Sequence, residues 1–171
     1  MHTRRRLVGV IGSSVGAPEQ LAQARAVGRL IAERGAVLLC GGMTGVMTAA
    51  AQGAREAGGL TIGILPGANA AESPPNEFIE IALFTGLHEA RNYLIACASE
   101  GLIAIGGGYG TLSEIALGLR LGKPVVLLNS WQFAMAGEPL EVPTAHTPEE
   151  AVETLWRLLV SQTAPAASPP E

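Results

Sequence analysis

The sequence predicts an α/β fold in which a parallel sheet lies between two layers of helices. Short runs that are apolar throughout alternate with segments whose apolar residues recur at helical spacing. Such runs are typical of parallel strands that are buried on both faces. Small-residue turns follow three of the runs, where strands pass into helices. We therefore expect a Rossmann-like, doubly wound parallel sheet with a three-layer αβα architecture.

The length and the composition fit one domain. The chain has 171 residues, of which 48% are hydrophobic and 15% are charged, a balance typical of globular rather than disordered chains. We expect residues 1–160 to form a single nucleotide-binding domain. Residues 161–171 are rich in proline, alanine and serine, and we expect a disordered tail there.

In the first half of the chain, two helices connect three apolar runs. The first helix begins near Pro18, which suits a first helical turn, and ends at Gly35. The second begins near Thr44, a potential helix cap, and ends at Gly58. A loop over 68–76 follows. The predicted strands cover residues 7–11, 37–40, 60–65 and 78–84.

In the second half, a helix over 87–99 carries Arg91 and Asn92. A strand over 102–105, a glycine turn and a helix that starts at Thr111 come next. Another buried strand is predicted over 124–128, followed by an irregular stretch over 131–142. The sequence from Thr147 is a strong helix start and opens the last helix.

Three small-residue turns should meet at one edge of this sheet. Ligands of doubly wound sheets bind beyond the carboxyl ends of the strands, where the strand order reverses. Free backbone N–H groups and the helix dipole favour phosphate at such turns. The candidate phosphate- or nucleotide-binding residues in the three turns are Gly12, Ser13, Gly41, Gly42, Thr44, Gly107, Gly108, Tyr109, Gly110 and Thr111.

Glu114 is the carboxylate next to the third turn, and two interpretations of it are open. In the first, Thr111 and Glu114 form a capping box, in which the acid only accepts a hydrogen bond from a backbone N–H. In the second, the carboxylate acts on a phosphorylated ligand that the turn holds. His88 lies near Arg91 and is a further candidate for the site.

The motifs of several other phosphate-binding enzymes are absent. Neither turn 12–16 nor turn 106–110 has the Gly-x-Gly-x-x-Gly spacing of dinucleotide-binding proteins. The single lysine, Lys123, is followed by proline, so no Walker A loop is present. Lys123 precedes a strand and therefore lies at the opposite edge of the sheet, which excludes pyridoxal-phosphate catalysis. A Gly-x-Ser-x-Gly nucleophile elbow is also absent.

Charge and residue usage exclude further classes. The net charge of −4 and the pI of about 5.4 argue against a nucleic-acid partner, and no apolar run is long enough to span a membrane. We expect a cytoplasmic protein. The three histidines lack metal-ligand spacing, and both cysteines lie in apolar segments as expected of buried free thiols, so neither a metal nor another cofactor is predicted. The excess of arginine over lysine suggests a thermophile.

Residues 107–114 resemble the Gly-Gly-x-Gly-Thr-x-x-Glu signature of the LOG (Lonely Guy) family, which also carries the label "possible lysine decarboxylase". Residues 41–47 resemble the second glycine motif of that family, and residues 59–66 resemble its third-strand segment. LOG proteins cleave the N-glycosidic bond of nucleoside 5′-monophosphates. The resemblance therefore implies a phosphoribohydrolase that converts AMP or cytokinin-type nucleotides to a base and ribose 5-phosphate.

The resemblance also assigns the residues that carry out this reaction. The family's catalytic arginine and glutamate correspond by motif to Arg91 and Glu114. It further implies a homodimer or a larger homo-oligomer with composite active sites.

Two departures from the LOG pattern point to a sister branch. Strict LOG proteins have lysine where this chain has Asn92, and proline where it has Gly106. Both changes resemble the branch that includes molybdenum-cofactor carriers, which bind a phosphorylated pterin and need not hydrolyse it. The alternative function is therefore a non-catalytic binding or carrier protein for a phosphorylated ligand such as molybdenum cofactor.

Overall fold

The computed structural model describes residues 4–163, and its main feature is a seven-stranded parallel sheet. Six of the nine strands are β1 (Leu7–Gly12), β2 (Val37–Cys40), β3 (Thr61–Leu65), β4 (Ile81–Phe84), β5 (Gly101–Ile105) and β6 (Val125–Leu128). The last three are β7 (Ala134–Met135), β8 (Glu138–Pro139) and β9 (Thr144–Ala145). The sheet has the order β4-β3-β2-β1-β5-β6-β9, and every neighbouring pair is parallel.

Five α-helices cover the two faces of the sheet. They are α1 (Pro18–Glu33), α2 (Val46–Glu56), α3 (Arg91–Ala98), α4 (Tyr109–Arg120) and α5 (Pro148–Thr163), and a short 3₁₀ helix at His88–Ala90 precedes α3. Helices α1, α2 and α5 bury apolar side chains against one face, whereas α3 and α4 pack against the other. The Rossmann-like, three-layer αβα prediction is confirmed.

The strand order reverses beside β1. From β1 the chain adds β2, β3 and β4 on one side and then returns to add β5, β6 and β9 on the other. The carboxyl ends of β1 and β5 are therefore adjacent at a topological switch point, which is where ligands of such sheets bind. All three predicted turns begin at the carboxyl ends of β1, β2 and β5.

Several predicted boundaries differ from the structure. The strand expected over 78–84 is paired only from Ile81 onward, and the stretch expected to be irregular contains the antiparallel hairpin β7–β8. Strand β9 was not predicted, because it has only two residues and no apolar run marks it. The helix expected from 87 begins as a 3₁₀ turn and becomes α-helical at Arg91.

The sequence predicted the first residue of two helices incorrectly. Helix α4 begins at Tyr109 rather than at Thr111, with Gly108 at the N-cap. Helix α2 has Gly45 at its N-cap, so Thr44 does not cap it; the Thr44 hydroxyl instead donates to the Ser14 carbonyl at 3.0 Å. The prediction that Pro18 lies in a first helical turn is confirmed.

Helix α5 continues through residues 161–163, which the sequence had suggested belong to a tail. The rest of the predicted tail, residues 164–171, lies outside the described residues.

Candidate functional site

A cleft of about 360 Å³ opens at the carboxyl edge of the sheet. Each of the three turns contributes to its lining, as expected from the strand order. The predicted site residues that line it are Gly12, Ser13, Gly41, Arg91, Gly108, Gly110, Thr111 and Glu114. Concave sites of this size, with a few convergent polar groups, are typical of small-molecule binding.

Four predicted binding residues do not line the cleft. Gly42 and Gly107 have φ angles of +73° and +114°, so they shape the turns that hold their neighbours. Thr44 is exposed and holds the first and second turns together through its hydrogen bond to Ser14. Tyr109 is 86% exposed, and its ring centroid lies 6.3 Å from that of Trp131.

The N-terminus of α4 opens into the cleft. Gly108, Gly110 and Thr111 all line the cleft within the first turn of this helix, whose first N–H groups have no partner inside the helix. Those donors and the positive end of the helix dipole favour an anion such as phosphate. The residues of the glycine motif therefore place a helix N-terminus at the cleft, as the motif predicted.

Glu114 lies in the second turn of α4 and lines the cleft. Because α4 begins at Tyr109, Thr111 is its third residue and cannot be an N-cap. The capping-box interpretation is therefore wrong. The side chain is buried, and this burial raises the pKa of Glu114 to about 7, although the positive charge of Arg91 acts in the opposite direction.

Arg91 lies across the ends of β2 and β3. Its Nη1 donates to the Ile64 carbonyl at 2.8 Å, whereas its buried Nε has no hydrogen-bond partner among residues 4–163. Burial lowers the pKa of Arg91, and Glu114 opposes that shift. Glycine at position 41 leaves room for the guanidinium group, since a Cβ there would displace it.

The two groups are close enough to interact electrostatically, yet no salt bridge joins them within the part of the chain that the structure describes. Each keeps hydrogen-bonding capacity that the protein does not use. An unpaired buried acid beside an incompletely paired arginine, both facing a cleft, is typical of functional sites.

Asn92 and Gly106, the two departures from the LOG pattern, each fit the local packing around them. Asn92 is buried, and its Nδ2 donates to Ser113 Oγ at 2.9 Å, which fastens α3 to the first turns of α4. Gly106 has a φ of +54°, which proline cannot adopt, and a Cβ there would collide with the side chain of Gln20. The turn before α4 therefore has a backbone conformation that a proline would prevent.

Several residues of the cleft were missed or were only weakly indicated by the sequence. Met43 and Met47 lie within the 41–47 motif and Ser14 directly follows Ser13, so including every residue of each motif would have found them. After Pro66, which ends the family-like segment 59–66, the long connection between β3 and α3 carries no motif. From this connection the cleft receives Pro66, His88 and Glu89, of which only His88 was a candidate.

The described residues bear on the predictions about the cysteines, a metal site and membrane-spanning helices. Cys40 is a buried free thiol as predicted, but Cys97 is exposed, so the expectation of two buried thiols is wrong. Residues 4–163 contain no group of three or more histidine, cysteine or acidic side chains that could hold a metal ion. None of the described helices is long and apolar enough to cross a membrane.

A glycine-lined cleft at the switch point of a doubly wound sheet defines the class of Rossmann-like proteins that bind small ligands at the strand ends. Within that class, the chain belongs to the SLOG cluster4 family, whose model matches residues 5–155. The predicted kinship with LOG proteins and molybdenum-cofactor carriers is confirmed.

Relatives of known and unknown function share this family resemblance. An uncharacterized protein of Archaeoglobus fulgidus is 44% identical over 85% of this chain and 91% of that protein. A probable cytokinin riboside 5′-monophosphate phosphoribohydrolase of rice is 33% identical over 73% of this chain, and the match spans only 59% of the rice protein. The molybdenum cofactor binding protein of Rippkaea orientalis is 39% identical, with a TM-score of 0.81 over 91% of this chain and 98% of that one.

Proposed function

We propose that this protein is a nucleoside 5′-monophosphate phosphoribohydrolase, which cleaves the N-glycosidic bond of AMP or a cytokinin-type nucleotide to release the base and ribose 5-phosphate. The observation that carries the proposal is the buried, unpaired Glu114 carboxylate, which shares a cleft with Arg91 and the N-terminus of α4. The rice relative, whose name states this activity, supports it.

In this proposal the 5′-phosphate binds at the third turn. The backbone N–H groups of Gly110 and Thr111 and the Thr111 hydroxyl donate to the phosphate oxygens, and the helix dipole adds a favourable field. Glycine at positions 108 and 110 leaves the main chain open to a ligand, since a Cβ at either position would meet no atom within 4 Å. The phosphate then fixes the ribose above Glu114.

Glu114 acts on the sugar. Glycosidic cleavage passes through a cation-like ribose, which a nearby carboxylate stabilises. A pKa of about 7 also suits a carboxylate that accepts a proton from the attacking water at neutral pH. The low polarity of the buried site strengthens both effects.

Arg91 holds the substrate and keeps part of Glu114 ionised. Its guanidinium group, which lines the cleft, donates to a ribose or phosphate oxygen of the substrate. Its positive charge limits the rise in the pKa of Glu114, so that the ionised form is still populated near neutral pH.

The test is incubation of the full-length protein with a panel of nucleoside 5′-monophosphates, with ribose 5-phosphate as the assayed product. We expect release of ribose 5-phosphate from at least one purine nucleotide. The matching nucleosides, which lack the phosphate, should be far poorer substrates. No release from any member of the panel would refute the proposal.

A second candidate function is a non-catalytic carrier of a phosphorylated ligand such as molybdenum cofactor. Two observations favour it: the match to the Rippkaea orientalis protein covers 98% of that chain, and Asn92 uses its amide to hold Ser113 instead of supplying a cation. Binding of a phosphorylated pterin without cleavage of any nucleotide in the panel would favour the carrier.

We also propose a homodimer or larger homo-oligomer. An apolar stretch at residues 93–95 suggested an interface, but Ile95 is in the core and only Tyr93, 47% exposed, is clearly available. Exposed Ile81 and Leu83 on the edge strand β4 add apolar surface. A monomer mass by light scattering at micromolar concentration would contradict this proposal.

A cytoplasmic location, a thermophilic source and the absence of a nucleic-acid partner stay predictions.

A further inference from the structure

We propose that His88 is the general acid that protonates the leaving base. This inference rests on the proposed function and assigns a catalytic role to a residue outside both glycine motifs and outside the Arg91–Glu114 pair. It is carried by the position of His88 in the cleft, by the conformation of its backbone and by the proton that the reaction requires.

His88 lines the cleft on the side opposite to the phosphate site. It follows β4 in the chain, and its N–H donates to the Pro66 carbonyl just beyond the end of β3, whereas the third turn follows β5. The sheet order β3-β2-β1-β5 separates the two strand ends by three strand spacings, about 14 Å. In the proposed complex, a nucleotide whose phosphate is bound at the N-terminus of α4 extends across the ends of β1 and β2, so that its base lies beside His88.

The backbone at His88 has an uncommon conformation. Its φ of +49° is in the left-handed region, which costs free energy in a residue other than glycine. Three hydrogen bonds hold this turn: His88 N–H donates to the Pro66 carbonyl at 3.1 Å, Gly86 N–H to the Gly67 carbonyl at 3.0 Å, and Leu87 N–H to Thr85 Oγ1 at 3.2 Å. Backbone strain that is held in this way is concentrated at functional sites.

The reaction needs a proton donor that the Arg91–Glu114 pair does not supply. When the bond between C1′ and the base nitrogen breaks, its electron pair leaves with the base. The imidazolium of His88 donates a proton to a base nitrogen, while water bonds to C1′ and gives its own proton to Glu114. The products are neutral base and ribose 5-phosphate, and the proton on Glu114 restores His88 through solvent. An arginine does not give up its proton, and Glu114 is occupied as the acceptor.

The experiment compares two leaving groups in the His88→Asn variant. Asparagine tolerates the left-handed backbone region, so the turn is preserved while the titratable ring is removed. The substrates are AMP, whose base must be protonated, and 4-nitrophenyl riboside 5-phosphate, whose phenolate leaves without a proton. His146→Asn is the matched control, because His146 is exposed like His88 but does not line the cleft.

We expect His88→Asn to lower kcat for AMP by about 10²- to 10⁴-fold, the usual contribution of a general acid, and to leave kcat for the nitrophenyl substrate almost unchanged. The nitrophenyl activity also reports that the variant is folded. His146→Asn should match wild type on both substrates.

Equal losses on both substrates, or undiminished cleavage of AMP by the variant, would overturn the role of His88 while the phosphoribohydrolase proposal stands. If the wild-type protein cleaves neither substrate, the proposed function itself is refuted and this inference is refuted with it.

Discussion

Two glutamate–arginine pairs in this chain behave in opposite ways. Arg25 on α1 donates two hydrogen bonds to Glu56 on α2, at 2.6 and 2.9 Å, and both side chains are about half exposed. The hydrogen bond from Arg25 lowers the pKa of Glu56. Glu114 is buried near Arg91 without a salt bridge, and there burial outweighs the arginine and raises the pKa to about 7.

The difference shows what each pair contributes. The exposed pair is solvated in both the folded and the unfolded states, and such pairs add little to stability. The buried pair costs stability, because a carboxylate loses water without gaining a full partner. A fold that keeps such a carboxylate at the floor of a cleft is most simply explained by a function for its charge.

The largest expected effect is on catalysis. Glu114→Gln preserves the size and the burial of the side chain but removes its negative charge. Under the proposed function, hydrolysis of AMP should fall about 100-fold or more, which is the typical cost of removing one electrostatic stabiliser. Binding of AMP should survive, because the phosphate contacts lie in the third turn.

Glu56→Gln is the matched control for this comparison, since it makes the same change in the exposed pair. It should hydrolyse AMP like the wild type. Equal activity of Glu114→Gln and the wild-type enzyme would show that the buried carboxylate has no part in the chemistry.

The next effect concerns stability and pH. The folded state binds the Glu114 proton more tightly than the unfolded chain, in which the ordinary pKa is 4.5. Stability should therefore fall as the pH rises from 4.5 to about 7, by about 3 kcal/mol in total, and then level off. Urea unfolding should show that Glu114→Gln is more stable than wild type at pH 8. At pH 5 the difference in the free energy of unfolding between the two should be much smaller.

An identical difference between variant and wild type at the two pH values would show that the Glu114 carboxylate is not desolvated in the folded state.

A smaller effect is expected for Arg91. Arg91→Met removes the guanidinium group that lines the cleft and donates to Ile64, and should weaken AMP binding about 10- to 100-fold, the scale of one hydrogen bond to a charged group. Calorimetry in the Glu114→Gln background measures this without turnover. Undiminished affinity would mean that Arg91 acts only on Glu114 and not on the ligand.

The smallest effect is expected for the exposed pair. Arg25→Met should leave the midpoint of urea unfolding almost unchanged, because its partner Glu56 returns to water on losing the arginine. If Arg25→Met lost as much stability as the pH-dependent change expected for Glu114, the exposed pair would matter to stability as much as the buried pair, which would contradict this comparison.

Most of the sheet could be predicted because six of its seven strands are apolar runs and three end in recognisable turns. Helix starts were less predictable, since Thr44 and Thr111 look like caps but the N-cap residues are Gly45 and Gly108. On the opposite side of the cleft, in the long connection between β3 and α3, the sequence indicated only His88 as a candidate, and Glu89 could not be predicted. Residues of this long connection reach the cleft through the pairing of β4 with β3, a long-range contact without a local sequence pattern.

The burial of Glu114 was also beyond the sequence. The sequence separation between Glu114 and the glycines of the third turn fits both a helix cap and a catalytic acid. Only the start of α4 at Tyr109 and the packing of α3 beside α4 decide between them.

The most direct test of the account is a titration of the two glutamates by carbon-detected NMR of their side-chain carboxyl groups, assigned with Glu114→Gln and Glu56→Gln. The account predicts a midpoint near pH 7 for Glu114 and one below the ordinary value of 4.5 for Glu56. A Glu114 midpoint at or below 4.5 would contradict it, because the carboxylate would then be solvated or fully paired and could not act as the proton acceptor in the cleft.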